Sequence, residues 1–317
     1  MGMPTISDDF LNCVFYLYPS REDAEKGTNL GGTGFFFSID LTDVPGSYYY
    51  AVTNWHVAVQ GGASVIRVNK RDGSSSEILG LDPHDWVFKR RWHDLAIADI
   101  ALDLEANKIS FIGSEMLVSQ ADLGKYGIGV GEDVFMVGRF MDHDGGETNV
   151  PAVRFGNIAV MPQPIEQPTG AKDLPSYILD VHSRSGYSGS PVFAFHSKVE
   201  LKGGTLSTVV GNRMMKFLGV HWGQFPERWE IESGYRTPVR RKGGSQSLPV
   251  DEPPVHYVKG FSGMTLAIPA DAITELLEMP KLKEPRERAL AEVRHAHRND
   301  PVAEAAEPEA LDGNPRH

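Results

Sequence analysis

The chain has 317 residues, of which 41% are hydrophobic and 23% charged, and its formal net charge is -11 at pH 7. This length can bury a substantial core, and the acidic balance argues against general nucleic-acid binding and against adhesion to anionic membranes. The sequence has no apolar run of bilayer-spanning length, and its first residues lack the basic and apolar segments of a secretory signal. The single cysteine, Cys13, excludes an internal disulfide and suits a reducing compartment, so we expect a buried core thiol and a cytoplasmic location.

Short runs of β-branched and aromatic residues, separated by Gly, Pro, Asn and Asp, recur along the chain before residue 270. Each has the length and composition of a strand, and many short strands with turns between them are typical of β-sandwiches and barrels. The predicted strands are 10–18, 34–39, 48–53, 64–69, 95–102, 133–140, 152–161, 177–181, 191–195, 216–222 and 256–268.

A polar, glycine-punctuated stretch at residues 119–131 divides these strands into two β units of similar size, which predicts domains at 1–125 and 126–279. Residues 224–254 are rich in charge, Gly, Ser and Pro and have no strand pattern, which indicates a long loop. The clearest helical pattern is 269–278, where Asp271 can cap a helix whose apolar face holds Ile273, Leu276 and Leu277. From residue 280 the chain is charged and poor in large apolar residues, so we predict a disordered tail over 280–317.

Residues 185–193, Ser-Gly-Tyr-Ser-Gly-Ser-Pro-Val-Phe, indicate a glycine-rich turn that leads into an apolar strand. Gly186 and Gly189 permit backbone conformations that a Cβ forbids, so the turn can expose the Ser188 hydroxyl and aim N–H groups at one point. Attack on a carbonyl carbon needs both features. A solvated serine in a hairpin turn has the same local sequence, so other parts of the chain must supply a base and an acid that orients it.

Two earlier segments offer that base and acid. His56 follows an apolar strand that ends in Thr-Asn-Trp. Asp94 stands immediately before a second apolar run, residues 95–98. His56 could equally be a hydrogen-bonded strand-end residue, and Asp94 a turn residue or the partner of a neighbouring arginine. Asp99 is an alternative acid, although strand alternation places it on the opposite face from Asp94. The chain order His56, Asp94, Ser188 is that of chymotrypsin-type triads.

With these motifs the chain resembles the trypsin-like, chymotrypsin-fold serine peptidases, especially their compact bacterial and HtrA-like branch. The matching segments are Gly32-Thr33-Gly34-Phe35, Thr53-Asn54-Trp55-His56-Val57, Asp94-Leu95-Ala96, Gly186-Tyr187-Ser188-Gly189-Ser190-Pro191 and Leu218-Gly219-Val220-His221-Trp222-Gly223. The resemblance covers about residues 10–277. It implies an all-β fold of two antiparallel six-stranded β-barrels, with the active site in the cleft between them.

The resemblance also implies hydrolysis of peptide bonds through an acyl-enzyme, with a polypeptide substrate and with no cofactor or metal. Ser188 would attack the carbonyl carbon, His56 would carry the proton, and Asp94 would orient His56. The backbone N–H groups of Gly186 and Ser188 would form the oxyanion hole. The substrate pocket would be lined by His182, His221, Trp222 and Gly223.

Three residues depart from the family pattern. Tyr187 replaces the Asp that many members pair with a newly cleaved N-terminus, so we expect no activation by that ion pair. Ser190 replaces a glycine, and His221 replaces a small serine and could lie close to Asp94 or to the pocket. His182 excludes the simple Asp-based preference for Lys or Arg, which leaves small, polar or acidic side chains favoured. The alternative hypothesis is a catalytically silent fold that binds peptides or acts as a scaffold.

Overall fold

A computed structural model describes residues 6–139, 146–182, 186–202, 205–230 and 257–298 of the chain. Its strands form two sheets, one from each half of the chain. Within these ranges, none of the helices has the length and apolar character needed to cross a membrane.

The first sheet contains seven strands in the spatial order β5-β4-β1-β2-β3-β6, with the short β7 parallel to β2. The strands are β1 (Val14–Tyr18), β2 (Gly32–Asp40), β3 (Ser47–Thr53), β4 (Val65–Asn69), β5 (Ser76–Leu79), β6 (Ala96–Asp99) and β7 (Ile112–Gly113). This sheet is open, whereas the family resemblance implies a closed barrel. At the outer edge of β6, Val87 forms two backbone hydrogen bonds with Ile97, of 2.7 and 2.9 Å, but this isolated bridge does not extend into a strand that joins β6 to β5.

The second sheet is a closed antiparallel barrel in the order β10-β13-β12-β11-β8-β9. Its strands are β8 (Asp133–Arg139), β9 (Pro151–Pro164), β10 (Pro175–Asp180), β11 (Pro191–Lys202), β12 (Thr205–Glu230) and β13 (Tyr257–Pro269). The two sheets confirm the predicted all-β, chymotrypsin-type fold. The strandless loop predicted at 224–254 is wrong over 224–230, because these residues continue the β12 ladder with β13. Residues 231–256 lie outside the described part of the chain.

The described residues also include five α-helices: α1 (Asp8–Asn12), α2 (Arg21–Lys26), α3 (Gln120–Tyr126), α4 (Asp271–Leu277) and α5 (Pro280–Arg298). The first three were not predicted, and each is capped by a serine whose side chain accepts a backbone hydrogen bond. Helix α1 takes the start of the strand predicted at 10–18. The helix predicted at 269–278 is confirmed over Asp271–Leu277, but Pro269 ends β13, Ala270 stands at the cap position and Asp271 is the first helical residue.

The disordered tail predicted from residue 280 is wrong over Pro280–Arg298, which form helix α5. Leu282 is 1% exposed within the main core, and the Arg286 guanidinium donates a 3.0 Å hydrogen bond to the Tyr50 hydroxyl. The prediction of disorder relied on the average composition of residues 280–317, which does not reflect the contacts of Leu282 and Arg286. Residues 299–317 lie outside the described ranges.

One aromatic core joins the two sheets. Phe193 of β11 packs against Phe135 of β8 and Phe217 of β12, with ring centroids 5.0 and 5.7 Å apart. Phe217 also contacts Phe35 of the first sheet at 5.3 Å. Cys13 belongs to the same core at 2% exposure, as predicted for a packed thiol. Burial of each phenylalanine is worth about 2–3 kcal/mol, so this cluster fixes one sheet against the other.

We expect Leu282→Ala to lower the free energy of unfolding by about 3 kcal/mol, because it leaves a cavity under α5. Glu287→Ala is the matched control: Glu287 is exposed on the same helix, and its replacement should change stability by less than about 0.5 kcal/mol. Urea denaturation followed by tryptophan fluorescence measures both values. Equal stability of the two variants would contradict the packing of α5 on the core.

Candidate active site

Strand pairing brings His56 and Asp94 together. Thr53, the last residue of β3, pairs with Ala96, the first residue of antiparallel β6. His56 lies three residues beyond Thr53, in a π-helical turn, and Asp94 lies two residues before Ala96, so both lie at the same end of the ladder. The His56 Nδ1 atom is 2.5 Å from Asp94 Oδ2, and the His56 backbone N–H donates to Oδ1 at 2.9 Å. The carboxylate therefore fixes both the ring and the backbone of His56.

Asp94 is fully buried, and a buried carboxylate is tolerated only where hydrogen bonds replace its hydration. Beyond the two bonds to His56, its segment is held through its backbone. Asn54 Nδ2 donates to the Asp94 carbonyl at 2.8 Å, and the Asp94 N–H donates to Gln167 Oε1 at 2.8 Å. The position of Asp94 is thus fixed by residues on two other segments.

Gln167 connects Asp94 to the second sheet. It is 3% exposed, and its Nε2 lies 3.1 Å from His93 Nδ1 and 3.5 Å from Ser176 Oγ. Ser176 in turn accepts a 3.1 Å hydrogen bond from the Trp222 indole. Sequence reasoning missed Gln167 and Ser176, because no motif surrounds either residue. Asn54 belongs to the segment 53–57, but its contact with the Asp94 carbonyl was not predicted.

The turn that carries Ser188 is bound to the first residues of β2. The Thr33 backbone N–H donates to the Ser188 carbonyl at 2.9 Å, and the Thr33 hydroxyl donates to the Gly186 carbonyl at 2.7 Å. The Thr33 carbonyl accepts a 2.7 Å hydrogen bond from the Thr53 hydroxyl at the end of β3. Thr33 therefore connects the serine turn to the strand that leads to His56.

Two glycines make this contact feasible. A Cβ on Gly189 would lie 2.0 Å from the Thr33 carbonyl oxygen, and Gly189 has a φ of +86°, which favours glycine. A Cβ on Gly32 would lie 3.0 Å from both the Ser188 carbonyl oxygen and the Val57 methyl carbons. Ser188 and Val57, the residue after His56, thus lie against the same glycine.

His221 supports the serine turn from β12. Its Nδ1 lies 3.1 Å from the Tyr187 carbonyl, its own carbonyl accepts from the Gly189 N–H, and its N–H donates to the Ser190 carbonyl. His221 is 1% exposed, and burial lowers its pKa to about 4, with proximity to His56 acting in the same direction. The neutral ring donates from Nδ1 and so supports the turn as an uncharged group.

The other two departures from the family pattern are also buried. Tyr187 is fully buried, and its hydroxyl donates to the Ala152 carbonyl and accepts from Arg154 Nε, both at 3.4 Å. Ser190 Oγ is buried with no hydrogen-bond partner among the described residues. Tyr187 thus fills part of the barrel core at the position where the family pattern has an aspartate.

The predicted pocket residues fall into two groups. His182 is exposed, and its ring lies 3.1 Å from the position that a Cβ would take on Gly263. Gly263 belongs to β13. Gly223 lies partly exposed on β12, which pairs with β13, and the Gly223 carbonyl accepts a 3.0 Å hydrogen bond from the Thr265 hydroxyl. Trp222 and His221 are buried, so His221 contacts the serine turn and not solvent.

The alternative acid, Asp99, lies at the far end of β6. It is exposed and accepts a 2.6 Å hydrogen bond from the Tyr48 hydroxyl. Because Asp94 already occupies Nδ1 of His56, Asp99 is not the acid that orients this histidine.

A family model of the trypsin-like peptidase domain matches residues 32–199, more than half of the chain. The chain belongs to the trypsin-like peptidase domain family. The part of the chain that matches the family model includes His56, Asp94 and Ser188. No curated protein sequence matches the chain.

Solved structures similar to this trypsin-like peptidase domain include the MamO protease domain from Magnetospirillum magneticum, at 13% identity and a TM-score of 0.47, covering 85% of this chain and 98% of that one. The HtrA-type protease AlgW with a decapeptide has 18% identity and a TM-score of 0.45, covering 86% of this chain and 65% of that one. Deg5 has 20% identity and a TM-score of 0.37, and the match covers 68% of this chain and 81% of Deg5.

Gly189→Ala should destabilise the fold by about 3 kcal/mol or more, because it adds both left-handed strain and an overlap with the Thr33 carbonyl. Gly131→Ala is the matched control, since Gly131 has a φ of +89° but nothing within 4 Å of its Cβ position. The control should lose only about 1 kcal/mol, from the strain alone. Thermal and urea unfolding of both variants test this, and equal losses would refute the close contact between the turn and β2.

Two buried histidines predict how stability depends on pH. Burial lowers the pKa of His93 and of His221 from the ordinary value of 6.5 to about 4. Between these values the unfolded chain binds more protons than the folded one, so the free energy of unfolding falls as pH falls from 7 to 5. We expect a loss on the order of 1–2 kcal/mol for each histidine over that interval.

Urea denaturation at several pH values measures the slope of the free energy of unfolding against pH. His93→Gln and His221→Gln should each reduce it, and His84→Gln, which replaces an exposed histidine, should leave it unchanged. A slope that is the same in all four proteins would contradict the burial of His93 and His221 as neutral groups.

Proposed function

We propose that the chain is a serine endopeptidase that hydrolyses peptide bonds with Ser188 as nucleophile, His56 as base and Asp94 as the orienting acid. The observation that carries the proposal is the 2.5 Å contact between His56 Nδ1 and the buried Asp94 carboxylate. The binding of the Ser188 turn to β2 beside Val57 supports it, because this contact brings the serine next to the histidine segment. Membership of the trypsin-like peptidase family supports the same reaction class.

The proposed chemistry begins at His56. With its Nδ1–H donated to Asp94, the imidazole keeps a lone pair on Nε2. As Ser188 Oγ bonds to the scissile carbonyl carbon, Nε2 takes the hydroxyl proton, and Asp94 stabilises the resulting imidazolium. The tetrahedral intermediate collapses when the imidazolium protonates the leaving nitrogen and the C–N bond breaks. Water then attacks the acyl ester by the same route, which releases the acid and restores the Ser188 hydroxyl.

The backbone N–H groups of Gly186 and Ser188 are the proposed oxyanion hole. Gly186 has a φ of +94°, and the Thr33 hydroxyl holds its carbonyl at 2.7 Å. A fixed turn presents its N–H groups without reorganisation during the reaction, and each such donor is worth about 10²–10³ in rate. Since backbone donors cannot be removed by substitution, Thr33→Val offers an indirect test through the loss of the hydroxyl that holds Gly186.

A second candidate function is a catalytically silent domain that binds peptides. The observation that favours it is that the described hydrogen bonds include none between the Ser188 hydroxyl and the His56 ring. Such bonds are often long in peptidases without substrate and tighten when substrate binds, so the observation does not exclude catalysis. The two functions differ in whether Ser188 reacts.

A fluorophosphonate probe tests this reactivity, because it phosphonylates a serine only where a neighbouring base activates it. We expect one label per chain in the wild-type protein and none in Ser188→Ala. Ser190→Ala removes the neighbouring serine hydroxyl and should keep the label. Asp94→Asn should slow peptide hydrolysis by about 10⁴-fold, because the wrong His56 tautomer is then stabilised.

Folded wild-type protein that neither takes the label nor cleaves a mixed peptide library would refute the peptidase proposal. If the same protein binds the library peptides without cleaving them, the silent peptide-binding function is supported instead.

A further inference from the structure

A groove of about 450 Å³ is lined by residues that neighbour His56 and Asp94 in the sequence. It is lined by segments from both halves of the chain, among them Trp55, Phe88, Lys89, Arg90, Arg91 and Thr169. Neither the catalytic chemistry nor the predicted substrate pocket uses these residues. They combine an aromatic surface with three neighbouring cationic side chains.

Three chain segments connect the groove to the proposed catalytic residues. Trp55 immediately precedes His56, and Arg91 lies three residues before Asp94. From the second half of the chain, the Thr169 hydroxyl donates to the Trp92 carbonyl, and Gln167, two residues earlier, accepts from the Asp94 N–H at 2.8 Å. We expect a polypeptide bound at Ser188 and His56 to place a neighbouring side chain at this groove.

The groove is positively charged in a chain whose net charge is -11. Lys89, Arg90 and Arg91 are all exposed, and no ion pair within 4.0 Å is found for any of them among the described residues. Lys89 Nζ lies 5.3 Å from the centre of the Trp92 ring. Glu166, close to Thr169 in sequence, pairs with Lys172 at 4.0 Å. Exposed cations in a cleft that form no such ion pair attract negatively charged ligands.

The aromatic surface narrows the ligand class further. The rings of Trp55 and Phe88 have their centroids 6.1 Å apart and are inclined at 46°, and both side chains are half-buried. Such rings pack well against the methylene carbons of a side chain, while guanidinium groups pair with its carboxylate. Arg91 has a φ of +52°, a conformation unusual for a side-chain-bearing residue, and this conformation sets the direction in which the loop continues.

We propose that this groove is a specificity subsite that binds an acidic side chain of the polypeptide substrate, with Arg90 and Arg91 as the charged contacts. The inference rests on the proposed function for the identity of its ligand. It adds a preference for glutamate or aspartate at a substrate position near the scissile bond, separate from the pocket predicted at His182 and Gly223.

Binding to the Ser188→Ala protein tests the subsite without requiring turnover. The probes are pairs of fluorescein-labelled octapeptides that differ only by Glu or Gln, with that position moved through all eight sites. We expect at least one position where Glu binds about fivefold more tightly than Gln in about 50 mM salt, with the difference lost in about 500 mM salt. Fluorescence anisotropy measures each affinity.

The substitution Arg90→Gln/Arg91→Gln in the same background should reduce the Glu preference to less than about twofold. Lys26→Gln/Lys108→Gln removes the same charge from exposed positions outside the groove and should keep the preference. Equal unfolding midpoints confirm that the compared proteins are folded. Equal binding of Glu and Gln at every position, no octapeptide binding at all, or an unchanged preference in the Arg90/Arg91 variant would overturn the proposal.

Fluorophosphonate labelling of the protein with Ser188 intact separates this result from the catalytic proposal. If the protein is labelled but its Ser188→Ala form does not distinguish Glu from Gln, the subsite proposal is refuted and the peptidase proposal stands. If the protein is not labelled but prefers Glu, the subsite proposal is supported and the peptidase proposal is refuted.

Discussion

The contact between Thr33 and the serine turn is the constraint on which the rest of the site depends. Both backbone groups of Thr33 and its hydroxyl are engaged: the N–H and hydroxyl with carbonyls of the turn, and the carbonyl with Thr53. This connection joins the closed barrel to the open sheet at the point where β3 leads to His56. It also gives a physical reason for the Gly-Thr-Gly sequence at the start of β2, because a Cβ on Gly32 would crowd the Ser188 carbonyl.

The serine turn is supported from its other side by uncharged groups. Tyr187 fills the barrel core where the family pattern has an aspartate, and His221 holds the Tyr187 carbonyl with a neutral ring. Hydrogen bonds from neutral buried groups cost less desolvation than a buried ion pair. Packing and backbone hydrogen bonds therefore support the turn at the position where the family pattern has an aspartate.

The sequence was informative where function depends on residues close together in the chain. The segments around His56, Asp94 and Ser188 could be recognised because each combines a reactive side chain with an adjacent strand. Gln167 could not be predicted, since its role arises only when a loop of the second half reaches the Asp94 N–H. The open first sheet could not be predicted either, because the pairing at the outer edge of β6 is limited to one bridge between Val87 and Ile97, a tertiary contact that composition does not reveal. Helix α5 was missed for a similar reason, because its anchoring depends on Leu282 and Arg286 meeting specific partners.

The proposed peptidase function requires Ser188 to act as a covalent nucleophile in this site. Release of p-nitrophenolate from p-nitrophenyl acetate in the first seconds of reaction measures whether it does. We expect a burst of about one equivalent per chain as Ser188 is acylated, followed by slow turnover, with no burst in Ser188→Ala. A folded wild-type protein that releases product without a burst, at the rate of the Ser188→Ala protein, would contradict the proposed function.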